Sequence, residues 1–346
     1  MRPVGALAKG FIISVYPLAP VMKVFRGIPS ASLRTPCALT IGNFDGVHRG
    51  HTHLLAMVRQ AADRLGIAAA VMTFQPHPRE YFARRTGDLS KVPPTIANLR
   101  DKLDAFSRAG MDRVIVEHFT AHFAALSAQE FIDQILLQGL QVKWLLVGAD
   151  FSFGARRSGS IAQLQEAGRQ HGFDIEILPD VTCREERVSS SLVRAALIKS
   201  DFAHAAELLG HPYAISGRVI HGNKLGRELG FPTMNLRMAQ EYPVLNGIFI
   251  TRVHGLGDQP LPAVSCIGTR PTVDDSGRRL LETHIFDFDQ NCYGKLVRIE
   301  FLEKLRENQK FDSLAALTAA IQNDALQARN YFLQPQTPSS ASKIRI

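Results

Sequence analysis

The chain has 346 residues, 45% hydrophobic and 21% charged, and no apolar run long enough to cross a bilayer, so no membrane span is expected and two ordinary domains are. Forty basic against 32 acidic residues leave a net charge of +8 that suits an anionic ligand, but the arginines are scattered and no basic block carries interleaved aromatics, which argues against nucleic acid. Cys37, Cys183, Cys266 and Cys292 make no CxxC pair and no zinc-spaced cluster, and read as free thiols of a reducing cytoplasm.

The first 21 residues only loosely imitate a signal peptide: Pro17 and Pro20 interrupt the apolar stretch, and "MKVFRGIP" from Met22 looks like a natural beginning. Residues 1–21 are therefore expected to be a disordered extension with no part in the fold. From Cys37 onward "CALTIG", "IAAAVMTF", "RVIVEHF", "KWLLVG" and "FDIEIL" are short apolar runs separated by helical patterns, which predicts a parallel sheet covered on both faces. Leu54, Val58, Ala61 and Leu65 recur at helical spacing. Ser127 and Glu130 form a capping box before "FIDQILL", and Gly110 and Gly139 stand where C-terminal caps belong. A helical pair, "SSLVRAALIKS" and "DFAHAAELLG", closes this first domain near Leu209.

Beyond Gly210 the period changes. "YAISGRVIHG", "GIFITRVHG", "LPAVSCIG", "LLETHIFDF" and "KLVRIEFLEKL" are closely spaced β-rich runs joined by turn residues, as in an antiparallel sandwich or barrel. One last helix follows, with Leu314, Leu317, Ile321 and Leu326 expected on one face, and the tail 334–346 is expected to be flexible.

The stretch "TIGNFDGVHRGHTHLL" concentrates chemistry. A strand ending at Gly42 and turning through Gly46 into a helix near His48 sets backbone N–H groups and a helix N-terminus at the edge of a parallel sheet, a built-in anion site. His48 and His51, at i and i+3, can face one ligand and donate to developing phosphate charge. Solvated helix-start histidines and a ligand-free turn are competing readings, and a metal pair lacks a third ligand.

In the second half "GNKLGRELGFPTMN" contains no GxxxxGK[ST], so any phosphate cradle there is not a P-loop. If residues 232–236 are extended, Thr233 and Asn235 point the same way and offer hard oxygens suited to Mg²⁺. Period two puts Glu282 on the face of His284, Phe286 and Phe288, where a carboxylate beside an extended apolar surface can accept a hydroxyl proton. An exposed strand glutamate and an ordinary Pro-Thr turn are the plainer alternatives.

From Met22 to about Tyr331 the chain resembles the bifunctional riboflavin kinase/FMN adenylyltransferase family, the bacterial FAD synthetases. "IGNFDGVHRGH", "TFQPHPRE", "VGADFSFG", "SSSLVR", "GNKLGRELGFPTMNL", "GTRPTV", "ETHIFDFDQNCYGK" and "LRENQKFDSL" match in type and order. The resemblance implies an α/β architecture: a Rossmann-like doubly wound nucleotidyltransferase domain at 22–209, then an antiparallel β-barrel riboflavin kinase domain with a C-terminal helix at 210–333. It implies a cytoplasmic enzyme taking ATP, riboflavin and FMN with Mg²⁺. The rival reading is a single-function HxGH nucleotidyltransferase for another cofactor.

The resemblance also distributes the site residues. Gly42, Phe44, Asp45, Gly46, His48, Gly50 and His51 would bind the ATP phosphates, with His48 and His51 catalytic, and Ser190, Ser191 and Arg194 would form a second phosphate grip. By itself "SSSLVR" reads equally as a helix cap followed by a surface arginine. The family usually has Thr where Ser191 stands; the hydroxyl is kept and the methyl lost. Asp150 and Phe151 would contact the flavin, although Phe151 and Phe153 also read as core residues. In the second domain Gly222, Lys224, Gly226 and Gly230 with Thr233 and Asn235 would hold ATP and Mg²⁺, Glu282 would be the base, and Arg306 would help close the flavin pocket.

Overall fold

The computed structural model describes residues 11–12, 22–178, 181–183, 186–222, 226, 229–238, 242–268, 280–334 and 344–345. The rest of the predicted extension and tail, Lys224, and most of "GTRPTV" lie outside the described residues. The chain divides into two compact units, Met1–Pro93 with Lys102–Thr182 and Pro94–Asp101 with Cys183–Ile346.

The first unit is built on a seven-stranded sheet. Its strands are β1 Phe11–Ile12, β2 Lys23–Arg26, β3 Cys37–Ile41, β4 Ala68–Gln75, β5 Arg113–His118, β6 Val142–Gly148 and β7 Asp174–Leu178, in the order β1-β2-β5-β4-β3-β6-β7. All neighbours are parallel except β1, which pairs antiparallel with β2 through Phe11↔Val24 and Ile12↔Lys23. Phe11 and Ile12 of the predicted extension therefore extend the edge of the sheet. The five apolar runs read as strands are β3 to β7. β2, four residues with Lys and Arg at its ends, carries too little periodicity to mark a strand in the sequence.

Helices α1 Arg49–Leu65, α2 Pro78–Thr86, α3 Leu99–Arg108, α4 Ala121–Ala125, α5 Ala128–Glu130 and α6 Ile161–His171 connect the strands. The Ser127–Glu130 capping box is formed, and α5 runs on as a π-helical segment, Phe131–Gly139. Gly110 has the left-handed backbone expected of a cap, with φ 74°. Gly139 does not serve as a cap; a Cβ there would lie 2.9 Å from the Ile28 side chain, so close packing requires the glycine, and Gln141 takes the left-handed turn at φ 52°. The core under these helices includes Leu39, Met72, Ile115, Leu136, Leu145 and Leu164.

Two short strands, β8 Thr182–Cys183 and β9 Glu186–Arg187, lead to α7 Ser190–Ile198 and α8 Phe202–Leu209. In the second unit Phe202 of α8 packs on Phe249 and Phe301 of a closed antiparallel barrel. Its strands are β10 Ala214–Ile220, β11 Met234–Arg237, β12 Gly247–His254, β13 Leu261–Ile267, β14 Leu280–Ile285 and β15 Leu296–Arg306, in the order β10-β11-β14-β13-β12-β15. Residues 94–101 join this unit: Thr95 N–H donates to Tyr242 O (2.8 Å), Asn98 Nδ2 to Ser216 O (3.0 Å), and Tyr213 Oη to Ile96 O (3.0 Å). A buried run of hydroxyls crosses the barrel wall, Thr251 to Ser265 and Ser265 to Thr283, each at 2.8 Å.

The last helix, Leu314–Leu333, buries Asp324, Ala325 and Ala328. Leu317 and Ile321 face the barrel side as expected, but Leu314 and Leu326 are both 59% exposed. Small residues at 325 and 328 let the helix sit close to the barrel, and that contact selects the face against the leucine pattern. Leu326→Ala is expected to change stability by no more than about 0.5 kcal/mol, while Ala328→Leu overpacks the contact and destabilises by about 1–3 kcal/mol. Denaturant unfolding of the two variants tests this.

Candidate active sites

β3 lies between β4 and β6, at the point where the strand order reverses, and open parallel sheets take ligands in the crevice beyond such a point. The chain leaves β3 through Gly42, whose N–H still donates to Met72 O at 3.0 Å. A Cβ at Gly42 would lie 3.2 Å from the Phe44 ring. Phe44, Gly46 and Val47 then take positive φ of 49°, 86° and 40°. Glycine adopts this freely, but a phenylalanine and a β-branched valine do so only when packing overrides the strain, as it does at functional turns. Phe44 is fully buried, edge-on to Phe106 at 5.2 Å and against His51 at 5.0 Å. It is a buried prop of the turn rather than an exposed phosphate contact, and Asp45 beside it is also buried.

His48 is the N-cap of α1, and its Nδ1 accepts the His51 backbone N–H at 3.4 Å. An accepting Nδ1 puts the ring proton of a neutral His48 on Nε2. Gly50 is buried between the two histidines in sequence, and their rings stack with centroids 3.7 Å apart. Burial, and after it the charges of His48 and Lys102, hold His51 well below the ordinary histidine range. His51 Nδ1 is buried without a hydrogen-bond partner. The turn thus gathers Gly42, Asp45, Gly46, His48, Gly50 and His51 around one helix start.

Lys102, not singled out in the sequence, reaches this turn from α3. Its Nζ donates to Asn43 O at 3.2 Å, and Thr73 Oγ1 donates to the same oxygen at 3.2 Å. No local motif marks Lys102; only the fold brings it here.

On the other side of the switch point β6 ends at Gly148, and Phe151 N–H turns back to Gly148 O at 3.0 Å. Asp150 is exposed, Phe151 is half-buried, and Phe153 is core. Phe151 packs against the same core and stacks on Phe153, with ring centroids 5.8 Å apart. An aromatic cluster at the ends of β4 and β5 also escaped sequence reading: Phe119 meets Phe74 at 5.8 Å, Tyr81 at 5.3 Å, Phe82 at 5.8 Å and Phe123 at 5.5 Å. These residues come from four segments, and none stands out alone. Beside them Glu117 Oε2 is buried without a partner, and desolvation pushes the carboxyl up to about 7.

In the second unit Ser189, not Ser190 or Ser191, caps α7 by accepting Leu192 N–H at 3.2 Å. Ser190 and Ser191 are the first two helical residues, and Arg194 Nε donates to Pro94 O at 2.8 Å.

The barrel opens into a cavity of about 360 Å³ whose lining includes Gly226, Thr233, Asn235, Glu282, His284 and Arg306. Asn235 and Glu282 are direct cross-strand partners of β11 and β14. Glu282 Oε1 is buried and has no hydrogen-bond partner. His284 Nδ1 donates to Pro232 O at 2.8 Å and pins the segment leading to Thr233. The shared face of Glu282 runs on through His284 to Phe286, whose rings meet at 5.7 Å, and stops there because Asp287 at φ 54° turns the chain and Phe288 lies past the strand. Gly222 lies against Asn235, where a Cβ would meet Asn235 Cγ at 2.6 Å; Gly226 is closed over by Phe231 O, and Gly230 turns at φ 83°. Arg306 lines the cavity, but its Nε and Nη2 are committed to Asp324 of the last helix, at 2.8 and 2.7 Å, and its Nη1 to Glu307 O at 3.1 Å. Its role in the wall is thus that of a strut.

Among the described residues no group of three or more His, Cys, Asp or Glu could hold a metal, and no helix is long and apolar enough to cross a membrane. Thr233, Asn235 and Glu282 nevertheless bring a hydroxyl, an amide and a carboxylate to one cavity, a hard-oxygen set that fits Mg²⁺.

Residues 30–192 match the family model of FAD synthetase, and residues 209–332 that of riboflavin kinase. A bifunctional riboflavin kinase/FMN adenylyltransferase of Escherichia coli (strain K12) is 44% identical over 90% of this chain and 98% of its own length. The protein of that description from Haemophilus influenzae is 42% identical over 90% and 99%. A solved structure described as a macrolide-efflux protein from Streptococcus pneumoniae superposes with a TM-score of 0.65 at 28% identity, covering 88% of this chain and 96% of that one.

Glu117 supplies a test of the first unit. The folded protein keeps this proton to about pH 7, whereas an unfolded chain loses it near 4.5. Stability is therefore full below the lower value, falls as pH rises through the folded one, and then levels off. Glu117→Gln is expected to remove that fall, as measured by urea unfolding between pH 4 and pH 8, roughly the span over which a buried carboxyl titrates.

Proposed function

The chain belongs to the bifunctional riboflavin kinase/FMN adenylyltransferase family, and from that premise we infer how its two reactions are divided among its residues. It phosphorylates riboflavin with ATP to give FMN, then transfers an adenylyl group from ATP to FMN, giving FAD and pyrophosphate. A single-function HxGH nucleotidyltransferase for another cofactor is not favoured, because it leaves the match over residues 209–332 without a purpose.

We place the kinase reaction in the barrel cavity. The observation that carries this is the buried, unpartnered Oε1 of Glu282. An orphaned carboxylate oxygen is costly in a desolvated wall, and the terminal ribityl hydroxyl would satisfy it by donating a hydrogen bond. As that hydroxyl attacks the γ-phosphorus its proton passes to Glu282, and ADP departs. Thr233 and Asn235 are the residues that would hold Mg²⁺, which when bound neutralises phosphate charge. Gly222, Gly226 and Gly230, with Lys224 from the same segment, are proposed to admit the ATP phosphates, since the first two leave no room for a side chain. Arg306, tied to Asp324, holds the last helix as one side of the flavin pocket.

We place adenylyl transfer at the β3–α1 turn. FMN phosphate attacks the α-phosphorus in line, and charge builds on the departing pyrophosphate. His48 donates through Nε2, and neutral His51 adds a second donor without cation–cation repulsion. Gly42, Asp45, Gly46 and Gly50 shape the turn, with Phe44 beneath it. Ser190, Ser191 and Arg194 stand at the start of α7, where the helix dipole favours an anion, and are proposed as phosphate contacts. Asp150 and Phe151, with the cluster around Phe119, offer a polar group and aromatic faces suited to a flavin. The functional limits we propose are 22–209 for adenylyl transfer and 210–333 for the kinase, with 1–21 an extension, 334–346 a tail, and the cytoplasm as the compartment.

Two variants test the division. Glu282→Gln keeps size but removes the proton acceptor, so FMN formation from riboflavin should fall by roughly 10²-fold or more. His51→Ala should lower conversion of supplied FMN to FAD by about the same factor. Each variant should spare the other step when products are separated by chromatography. A Glu282→Gln enzyme that phosphorylated riboflavin normally but no longer made FAD from FMN would overturn the assignment.

A further inference from the structure

Lys102 plays no part in the assignments above, yet three observations converge on it. It enters from α3, about 50 residues past the turn in sequence, and is partly buried there. Its ammonium donates to Asn43 O at 3.2 Å, the carbonyl that follows Gly42 and already accepts Thr73 Oγ1. Its charge acts on Asp45 and on His51, both inside the anion-binding turn.

We propose that Lys102 is a positioning residue for adenylyl transfer, which fixes the Asn43 peptide of the turn and keeps His51 a neutral hydrogen-bond donor. The inference rests on reading the β3–α1 turn as the adenylyl-transfer site.

The geometric part follows from valence. A peptide whose carbonyl is held by two donors, Lys102 and Thr73, cannot rotate without breaking both bonds, so the following N–H groups keep one direction. The turn needs such a lock, because Phe44 and Val47 sit at positive φ and would relax if released.

The electrostatic part follows from position. The charged and titratable groups facing His51 are His48 on its own turn and Lys102 from α3, with Asp45 acting on the lysine. β4 contributes only neutral Thr73, and Phe106 of α3 reaches the turn through Phe44. Burial is the larger cause of the low His51 pKa, and the Lys102 charge adds to it in the same direction. A neutral His51 beside a cationic lysine is a stable arrangement; a protonated one would put two cations side by side with little water to screen them.

The test separates the lock from the charge. Lys102→Gln keeps a side-chain donor for Asn43 O and removes the charge, Lys102→Arg keeps the charge, and Lys102→Met removes both. His51 is followed by NMR titration of its ring in the ligand-free protein. FAD formation from supplied FMN is measured over the same pH range. Urea unfolding of each variant reports on folding, and riboflavin phosphorylation, assigned to the barrel, should be unchanged.

In Lys102→Gln the His51 titration should move to higher pH, and the acid limb of FAD formation should move with it. In Lys102→Arg both should stay near those of the parent. Lys102→Met should show the same upward shift and, in addition, a fall in FAD formation at pH 8 of roughly tenfold or more, because the turn is no longer held. An unchanged His51 titration in both the Gln and Met variants would overturn the electrostatic role. A Met variant as active as the Gln variant at pH 8 would overturn the lock. His51→Ala run alongside distinguishes the two levels: if it leaves FAD formation intact, the reading of the site itself fails, whatever Lys102 does.

Discussion

The placement of β3 between β4 and β6 is the constraint on which the first unit depends. A parallel strand with partners on both sides cannot shift its end without breaking two ladders, so the turn after Ile41 starts from a fixed point. Helix α1 must then begin where its capping histidine lies above the sheet edge, and the strained Phe44 and Val47 conformations are the means of fitting the chain into that space. The site is precise because the sheet is rigid. At His48 one bond does two things: its Nδ1 closes the helix start, and the same bond decides which nitrogen of a neutral ring carries the proton.

The barrel reaches a functional site by a different route. Backbone crowding and an unsatisfied carboxylate shape its cavity. Glycines 222 and 226 bring the loop close to Asn235 and Phe231, and cross-strand pairing sets Asn235 beside Glu282. The last helix completes the wall through the Arg306–Asp324 pair, whose two parallel bonds fix orientation as well as distance. The two units thus hold phosphate chemistry by unrelated means, consistent with two reactions that differ in which phosphorus is attacked.

Much of this was legible in the sequence, for reasons that can be named. The runs "CALTIG" to "KWLLVG" announced a parallel sheet because their middle residues are buried on both faces, whereas "FDIEIL" is a largely exposed edge strand; "GNFDGVHRGH" stood out because glycines, a helix start and donors fall within ten residues. What stayed hidden depends on distance along the chain. Lys102, the aromatic cluster around Phe119 and the Asp324 partner of Arg306 are each ordinary residues on ordinary helices or strands until the fold brings them to a site. The incorporation of residues 94–101 into the second unit has no sequence signature at all, since it consists of a few bonds from loop backbone and Asn98 to the barrel. Leu326 misled for a related reason: a helix against a barrel buries the face that permits close approach, and here alanine serves better than leucine.

The hydroxyl run Thr251, Ser265 and Thr283 has a consequence for how the barrel closes. On β13 the residues Ala263, Ser265 and Ile267 share the inward face and are all buried. A slip of this strand by two positions would keep an apolar face inward, so hydrophobic burial hardly distinguishes the slipped barrel from the native one. It would, however, put alanine or isoleucine where Ser265 stands and strand two buried hydroxyls, at about 1–3 kcal/mol each. One serine therefore proofreads the alignment of three strands, and the same alignment carries Cys266 to its place opposite Glu282.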